Sequence, residues 1–232
     1  MTLYVVGTPI GNLSDLSSRA ADVLGSVHAI ACEDTRVTGK LLSHLGIQKP
    51  LVSVHQHATA GKLREVLDLL GEGKDVALVT DAGTPGISDP GGLLVQEAAA
   101  RFGSALRIVP IPGPCAAIAA LSVSGFPTDR FVFLGFPPHK KGRRGFFDRV
   151  AAEEEVVVFY ESVHRAEKAL AELSARVGSR PVVLCRELTK LHETVHRGTV
   201  EDVTRALKAD TMKGEFVIVL GPKGWVGKGG RV

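Results

Sequence analysis

The chain has 232 residues, enough for one large domain or two small ones. With 44% hydrophobic and 23% charged residues it reads as an ordinary globular protein, which excludes disorder, collagen and coiled coil as its main state. Lys and Arg total 28 against 25 Asp and Glu, and a net charge of +3 neither demands nor excludes a nucleic-acid partner.

No apolar run approaches the roughly 20 residues needed to span a bilayer, so no membrane association is expected. The opening MTLYVVGTPIGNL has no basic region or cleavage signature of a secretory signal. Cys32, Cys115 and Cys185 are far apart and odd in number. They read as reduced thiols of a cytoplasmic protein, not as a disulfide framework or a zinc site.

Strands are expected at 3–7, 28–34, 50–56, 75–83 and 105–113. Helices are expected at 15–25, capped by Ser14 or Asp15, and at 36–45, 61–73 and 91–103. Leu63, Val66, Leu67 and Leu70 fall on one face of the third helix. Strands alternating with helices imply βαβ crossovers and a mostly parallel sheet. The second half reads differently. Strands are expected at 131–138, 156–162, 180–188 and 214–221, with helices near 145–153 and 163–177. HRGTVEDV (196–203) reads as a strand entering a short helix. Gly and Pro cluster in SGFPTDR, which places a domain boundary near 125–131. The organisation expected is an N-terminal α/β domain at 1–125, a C-terminal α/β domain at 126–222 and a flexible tail at 223–232.

Four loops follow strand carboxyl ends and concentrate Gly and Pro: GTPIGNL (7–13), DAGTPGISDPGG (81–92), PGPCAA (112–117) and YESVHR (160–165). Ligands of open α/β sheets bind at that edge, and such loops suit a ligand cleft. GTPIGN lacks the GxGxxG spacing, and Gly227-Lys228 lacks the Ser or Thr of a phosphate loop, so neither is a nucleotide fingerprint. His55 and His57 lie two apart without a third ligand and read as surface histidines, so no metal is expected. No nucleophile elbow appears. CEDTR (32–36) is either a helix N-terminus, capped by Asp34 or Thr35, or a wall of the cleft. HKKGRRGFF (139–147) is either a solvated loop or a phosphate-contacting one, with Arg165, Arg186 and Lys190 adding charge near other strand ends.

These motifs resemble the tetrapyrrole-methylase superfamily of S-adenosylmethionine (SAM) methyltransferases. The branch they are most similar to methylates the ribose 2′-oxygen of a cytidine in 16S ribosomal RNA. LYVVGTPIGNLSDLSSRA, ACEDTR, LVTDAGTPGISDPG, IPGPCAAIAALSVSGFPTDRFVFLGFPP, FYESVHR, RELTKLHET and GEFVIVL carry the resemblance from residue 3 to 220. Cys115 stands where the family has a small hydroxyl residue, and Val163 replaces a proline. Relatives continue beyond the last strand, which implies that an RNA-contacting C-terminal extension is absent or reduced here.

The resemblance implies two α/β domains with SAM in the cleft between them, a homodimer, and 16S rRNA within the small ribosomal subunit as partner. Carried over by position, the SAM contacts are Pro9, Asp81, Ala82, Gly83, Thr84, Gly86, Ile87, Ser88, Pro112, Cys115 and Ala116. The second domain adds Tyr160, Cys185, Arg186, Glu215 and Phe216. Glu33, Asp34, Glu161 and Glu193 are the candidate bases. Arg36, Lys140, Lys141, Arg143, Arg144, Arg165 and Lys190 are the candidate RNA contacts. The competing readings are a SAM-dependent methyltransferase of a tetrapyrrole, which predicts an apolar cleft with few cations, and a non-catalytic RNA-binding module, which predicts no SAM binding.

Overall fold

Two five-stranded sheets organise the chain, one in each half. A computed structural model describes residues 1–54, 60–89, 91–210 and 213–225. His55, His57, Pro90 and the tail from 226 lie outside the described residues.

The first sheet is wholly parallel, as the βαβ alternation predicts. Its strands are β1 (Thr2–Val6), β2 (Ala29–Cys32), β3 (Leu51–Ser53), β4 (Val76–Leu78) and β5 (Arg107–Ile111), in the order β3-β2-β4-β1-β5. Helices α1 (Ser18–Ser26), α2 (Thr35–His44), α3 (Ala60–Gly71) and α4 (Gly92–Phe102) supply the crossovers. Alternate strand residues face opposite ways. Leu3, Ala31, Val52, Val76 and Leu78 pack with Val66, Leu70, Leu94 and Ala98 of α3 and α4. Val6, Ile30, Cys32, Ala77 and Val79 pack with Ala20, Leu24 and Leu42 of α1 and α2. Pro110 is accommodated because β5 is an edge strand that pairs only with β1. Helix α1 starts later than expected: Ser17 caps it by accepting the Ala20 N–H, and residues 13–15 form a separate short 3₁₀ turn behind Asn12.

The second sheet is mixed. Its strands are β6 (Phe131–Phe133), β7 (Val156–Glu161), β8 (Val182–Arg186), β9 (Thr194–Gly198) and β10 (Phe216–Leu220), ordered β6-β7-β10-β8-β9. Only β6 and β7 pair in parallel. Helices α6 (Arg143–Ala152), α7 (Ala166–Val177) and α8 (Val200–Asp210) close a core of Phe147, Phe159, Leu170, Leu173, Leu184, Val203, Leu207 and Ile218. Helix α8 runs eleven residues, longer than the short helix expected.

Contacts divide the chain into Met1–Cys115 and Ala116–Val232. Helix α5 (Ala116–Ser124), which the sequence pattern did not announce, therefore counts with the second unit instead of the first. It packs on β7 and β10. AAIAALSVS is apolar all round and has no amphipathic stripe to read. Among the described residues no helix is long and apolar enough to cross a membrane.

Candidate functional site

In the first unit the loops after β1, β2, β4 and β5 meet at the carboxyl edge of the sheet. Thr8 and Gly83 exchange backbone hydrogen bonds of 2.9 and 3.2 Å, so the β1 loop is bridged to the β4 loop. The Thr8 hydroxyl donates to the Thr80 carbonyl at 3.1 Å. The Thr84 hydroxyl donates to the Pro114 carbonyl at 3.1 Å, which ties in the β5 loop. Gly7 and Gly113 touch backbone to backbone; a Cβ on Gly7 would lie 2.7 Å from the Gly113 Cα. Gly83 and Gly86 sit at φ +91° and +85°, and Ser88 at +57°. The Asp89 carboxylate accepts the N–H groups of Gly86 and Gly91 at 2.8 and 2.7 Å, which holds this turn open. Thr8, Gly113 and Asp89 were not among the expected site residues; an Asp directly before Pro in ISDPG is the turn signal that marks the last of them.

The carried-over residues Pro9, Asp81, Ala82, Gly83, Thr84, Gly86, Ile87, Ser88, Pro112 and Cys115 all fall in these loops. Ala82, Gly86, Ile87, Ser88 and Pro112 are exposed. The β2 loop brings acids to the same edge. Asp81 accepts the Asp34 N–H at 3.1 Å, and the Thr80 hydroxyl lies 3.4 Å from Glu33 Oε2. Strands β2 and β4 are neighbours whose chains continue toward opposite ends of the sheet, β2 to β3 and β4 to β5, which is where open α/β sheets bind ligands. Burial raises the Asp81 carboxyl above its ordinary value, and the Asp34 charge adds to this. Asp34 behaves oppositely. It caps α2, and its hydrogen bonds to the exposed Arg36 side chain hold it at about 2. A carboxyl held so low accepts a proton poorly, and in this structure Asp34 serves as the cap of α2.

In the second unit, the structure places several of the expected site residues in buried networks. Glu161 is 1% exposed and bonds Arg143 at 3.2 Å and Arg165 at 2.9 Å. It is an interior anion between two guanidiniums, out of reach of a substrate hydroxyl. Arg143 is itself 4% exposed, bonds Glu172 at 3.0 Å and lies over the Phe147 ring. It opens α6, and the helix turns it inward, away from any phosphate. Arg165 also donates to the Pro137 carbonyl and the Ser162 hydroxyl. Lys190 bridges Glu187 and Glu215, and those two acids hold its ammonium above the ordinary value although burial opposes them. Glu193 accepts the Thr189 N–H and braces a turn.

Cys185 and Phe216 lie in strands paired on both sides, with their side chains in the interior. Burial pushes the Cys185 thiol up to about 11. Arg186 is buried on Asp210, Thr194 and the Lys213 carbonyl. The side chains of these three belong to the core and to an ion pair. Tyr160 is half-buried between Phe133 and Phe136, and its hydroxyl accepts the Ala117 N–H. Ala116 begins α5 beside it. Lys140, Lys141 and Arg144 remain exposed.

A family model described as Tetrapyrrole (Corrin/Porphyrin) Methylases matches residues 2–204. The chain belongs to the tetrapyrrole methylase family. Its curated relatives include proteins named ribosomal RNA small subunit methyltransferase I. The one from Escherichia coli O157:H7 is 48% identical, with 94% of this chain and 77% of the relative covered. The one from Synechocystis sp. is 47% identical, with 94% and 78% covered. Among solved structures, uroporphyrin-III-C-methyltransferase from Thermus thermophilus aligns at TM-score 0.64 and 22% identity over 95% of this chain and 94% of that one. Diphthine synthase aligns at 0.72 and 15% over 95% and 90%, so both show the fold alone.

Tetrapyrrole methylases take their methyl group from SAM, and the first unit's loops fit that cofactor. Gly83 and Gly86 carry no side chain into the turn, and the Gly7–Gly113 contact brings two loop backbones together, the conditions for a ligand held by main chain. SAM is cationic at sulfur and at its amine, and a desolvated Asp81 gains from a cation beside it. Residues 81–88 would hold it. A valine at Gly86 would face left-handed backbone, a strain of order 1–3 kcal/mol, in the turn it must leave open. Gly86→Val should weaken SAM affinity by at least about tenfold, or ~1.4 kcal/mol, in a calorimetric titration. The buried network separates Arg143 from its neighbour: Arg143→Ala should cost about 3–5 kcal/mol in urea unfolding, because Glu161 loses a partner inside the protein. Arg144→Ala should stay within ~0.5 kcal/mol.

Proposed function

We propose that this tetrapyrrole methylase transfers the methyl group of SAM to the ribose 2′-oxygen of a cytidine in 16S rRNA of the small ribosomal subunit. In this reading it works in the cytoplasm as a homodimer. The observation that carries the proposal is near-half identity, over 94% of the chain, to relatives named ribosomal RNA small subunit methyltransferase I. Lys140, Lys141 and Arg144 are exposed, as cations that neutralise backbone phosphates must be.

SAM supplies a methyl already activated on a sulfonium, which leaves as a neutral thioether. The protein's task is then to align the ribose oxygen with that carbon, worth up to about 7–11 kcal/mol in well-ordered cases. The C–O bond forms as the C–S bond breaks, its electron pair goes to sulfur, and the hydroxyl proton is given up. A nearby base adds roughly 10²–10⁴-fold. Asp34, Glu161 and Glu193 are a cap, an interior ion-pair partner and a turn brace. Glu33, at the carboxyl end of β2 beside Thr80, is the acceptor we propose. Among the proposed RNA contacts, Lys140, Lys141, Arg144 and Arg36 keep that role, because each side chain reaches solvent. The target nucleotide must be unpaired or splayed, since the deep groove of A-form RNA admits no side chain.

Incubating the protein and labelled SAM with small subunits lacking the modification should label one cytidine ribose. Label on no RNA, with SAM bound, would turn the proposal toward a corrin or porphyrin acceptor. Lys140→Ala, Lys141→Ala and Arg144→Ala combined should reduce the slope of log affinity for subunits against log salt by about 2 and leave SAM affinity alone.

A further inference from the structure

The turn between β8 and β9 has a conformation that needs an explanation. Glu187 and Thr189 take φ of +51° and +67°. Left-handed backbone is uncommon for any residue other than glycine, and for a β-branched threonine it is an outlier. The turn is held there from several sides. Glu187 N–H donates to the Glu215 carbonyl, and Glu215 N–H donates back to Glu187 Oε1 at 2.8 Å. Lys190 N–H donates to the Glu187 carbonyl while its ammonium bonds Glu187 and Glu215 at 3.0 and 2.8 Å. Glu193 N–H donates to the Lys190 carbonyl, and its carboxylate accepts the Thr189 N–H.

What this bracing displays is Leu191, 92% exposed at the tip; no other large apolar side chain among the described residues exceeds 53%. A loose turn would fold a leucine back onto apolar surface, because burial is favourable. This turn denies it that. Strain over-determined by its surroundings and spent on holding an apolar group in water is the signature of a contact made with something else.

The sheet register says with what. Arg186, the last residue of β8, pairs with Phe216, and Phe216 pairs with Glu161, the last residue of β7. Strand β6 runs parallel to β7. The loops leaving β6, β7 and β8 therefore share one edge. From β6 to β8 is three strand spacings, about 14 Å at ~4.8 Å each. The β6 end of that edge carries Phe136, 51% exposed, and Lys140, Lys141 and Arg144.

We propose that Leu191 is a wedge that enters the base stack of the acceptor RNA, while the cations at the other end of the edge hold the backbone. The inference rests on the ribosomal RNA reading above. A span of about 14 Å corresponds to roughly four stacked nucleotides at ~3.4 Å each. Apolar side chains pushed between bases unstack them, and an unstacked nucleotide presents its ribose to a catalytic site. A second copy of this chain fits the edge less well, since a two-fold contact would set the same cations against themselves.

The test uses the full chain, small subunits lacking the modification and labelled SAM. Leu191→Ala should lower kcat/KM for subunits by about tenfold or more, and Leu191→Met should restore it to within about threefold. SAM affinity, thermal midpoint and sedimentation mass should match the wild type, because the side chain is in solvent. Leu191→Ala methylating as fast as wild type overturns the wedge and leaves the rRNA reading standing. A change in sedimentation mass overturns it in favour of a contact between copies. Subunits left unlabelled by the wild type overturn both readings together.

Discussion

The contact between the backbones of Gly7 and Gly113 is the constraint on which the first unit's loop cluster depends. Strands β1 and β5 are neighbours in the sheet, so their carboxyl ends leave about 4.8 Å apart. Any side chain on either glycine would force the two loops to diverge. With none, the loops close on each other, and the β4 loop joins through the Thr8–Gly83 bridge and the Thr84–Pro114 bond. Three segments distant in sequence become one surface of main chain. A cofactor read by main chain needs few particular side chains.

The second unit relies on the opposite device, charge taken into the interior. Glu161 lies at the end of β7 with Arg143 from α6 and Arg165 from the turn before α7. Each ion alone would be costly to desolvate, and the opposite charges of Glu161, Arg143, Arg165 and Glu172 offset that cost. Arg165 carries the order outward through the Pro137 carbonyl, so the loop after β6 leaves the sheet in a fixed direction. The exposed cations that follow inherit that direction. The buried arginine thus organises the loop, and its neighbours Lys140, Lys141 and Arg144 stay exposed.

Legibility followed the same division. Parallel order in the first sheet followed from strands alternating with amphipathic helices, and the loop cluster from Gly and Pro after strand ends. Helix α5 was hidden because its residues are apolar on every side and give no period. The RNA-contact reading of HKKGRR went wrong at Arg143 because a run of cations records composition, whereas the helix beginning at Arg143 sends that side chain inward and Arg144 outward. Glu161 looked like a candidate base because it sits at a strand end; only the tertiary partners reveal that its charge is already spent. Leu191 carried no signal, since an isolated leucine in a polar turn is indistinguishable from a core residue until its exposure is known.

The two devices differ in what they allow to vary. A main-chain cradle tolerates change in most of its side chains but fixes its glycines, which suits a fold that solved structures share with this chain at only 15–22% identity. An edge whose loops are aimed by buried ion pairs fixes the interior and leaves the outer residues replaceable. Acceptor choice can then change by replacing exposed residues such as Lys140, Lys141, Arg144 and Leu191 while the cradle and the ion pairs stay as they are. In the proposed reading, specificity would rest on side chains that contribute least to folding, and those are the residues that burial and periodicity pass over.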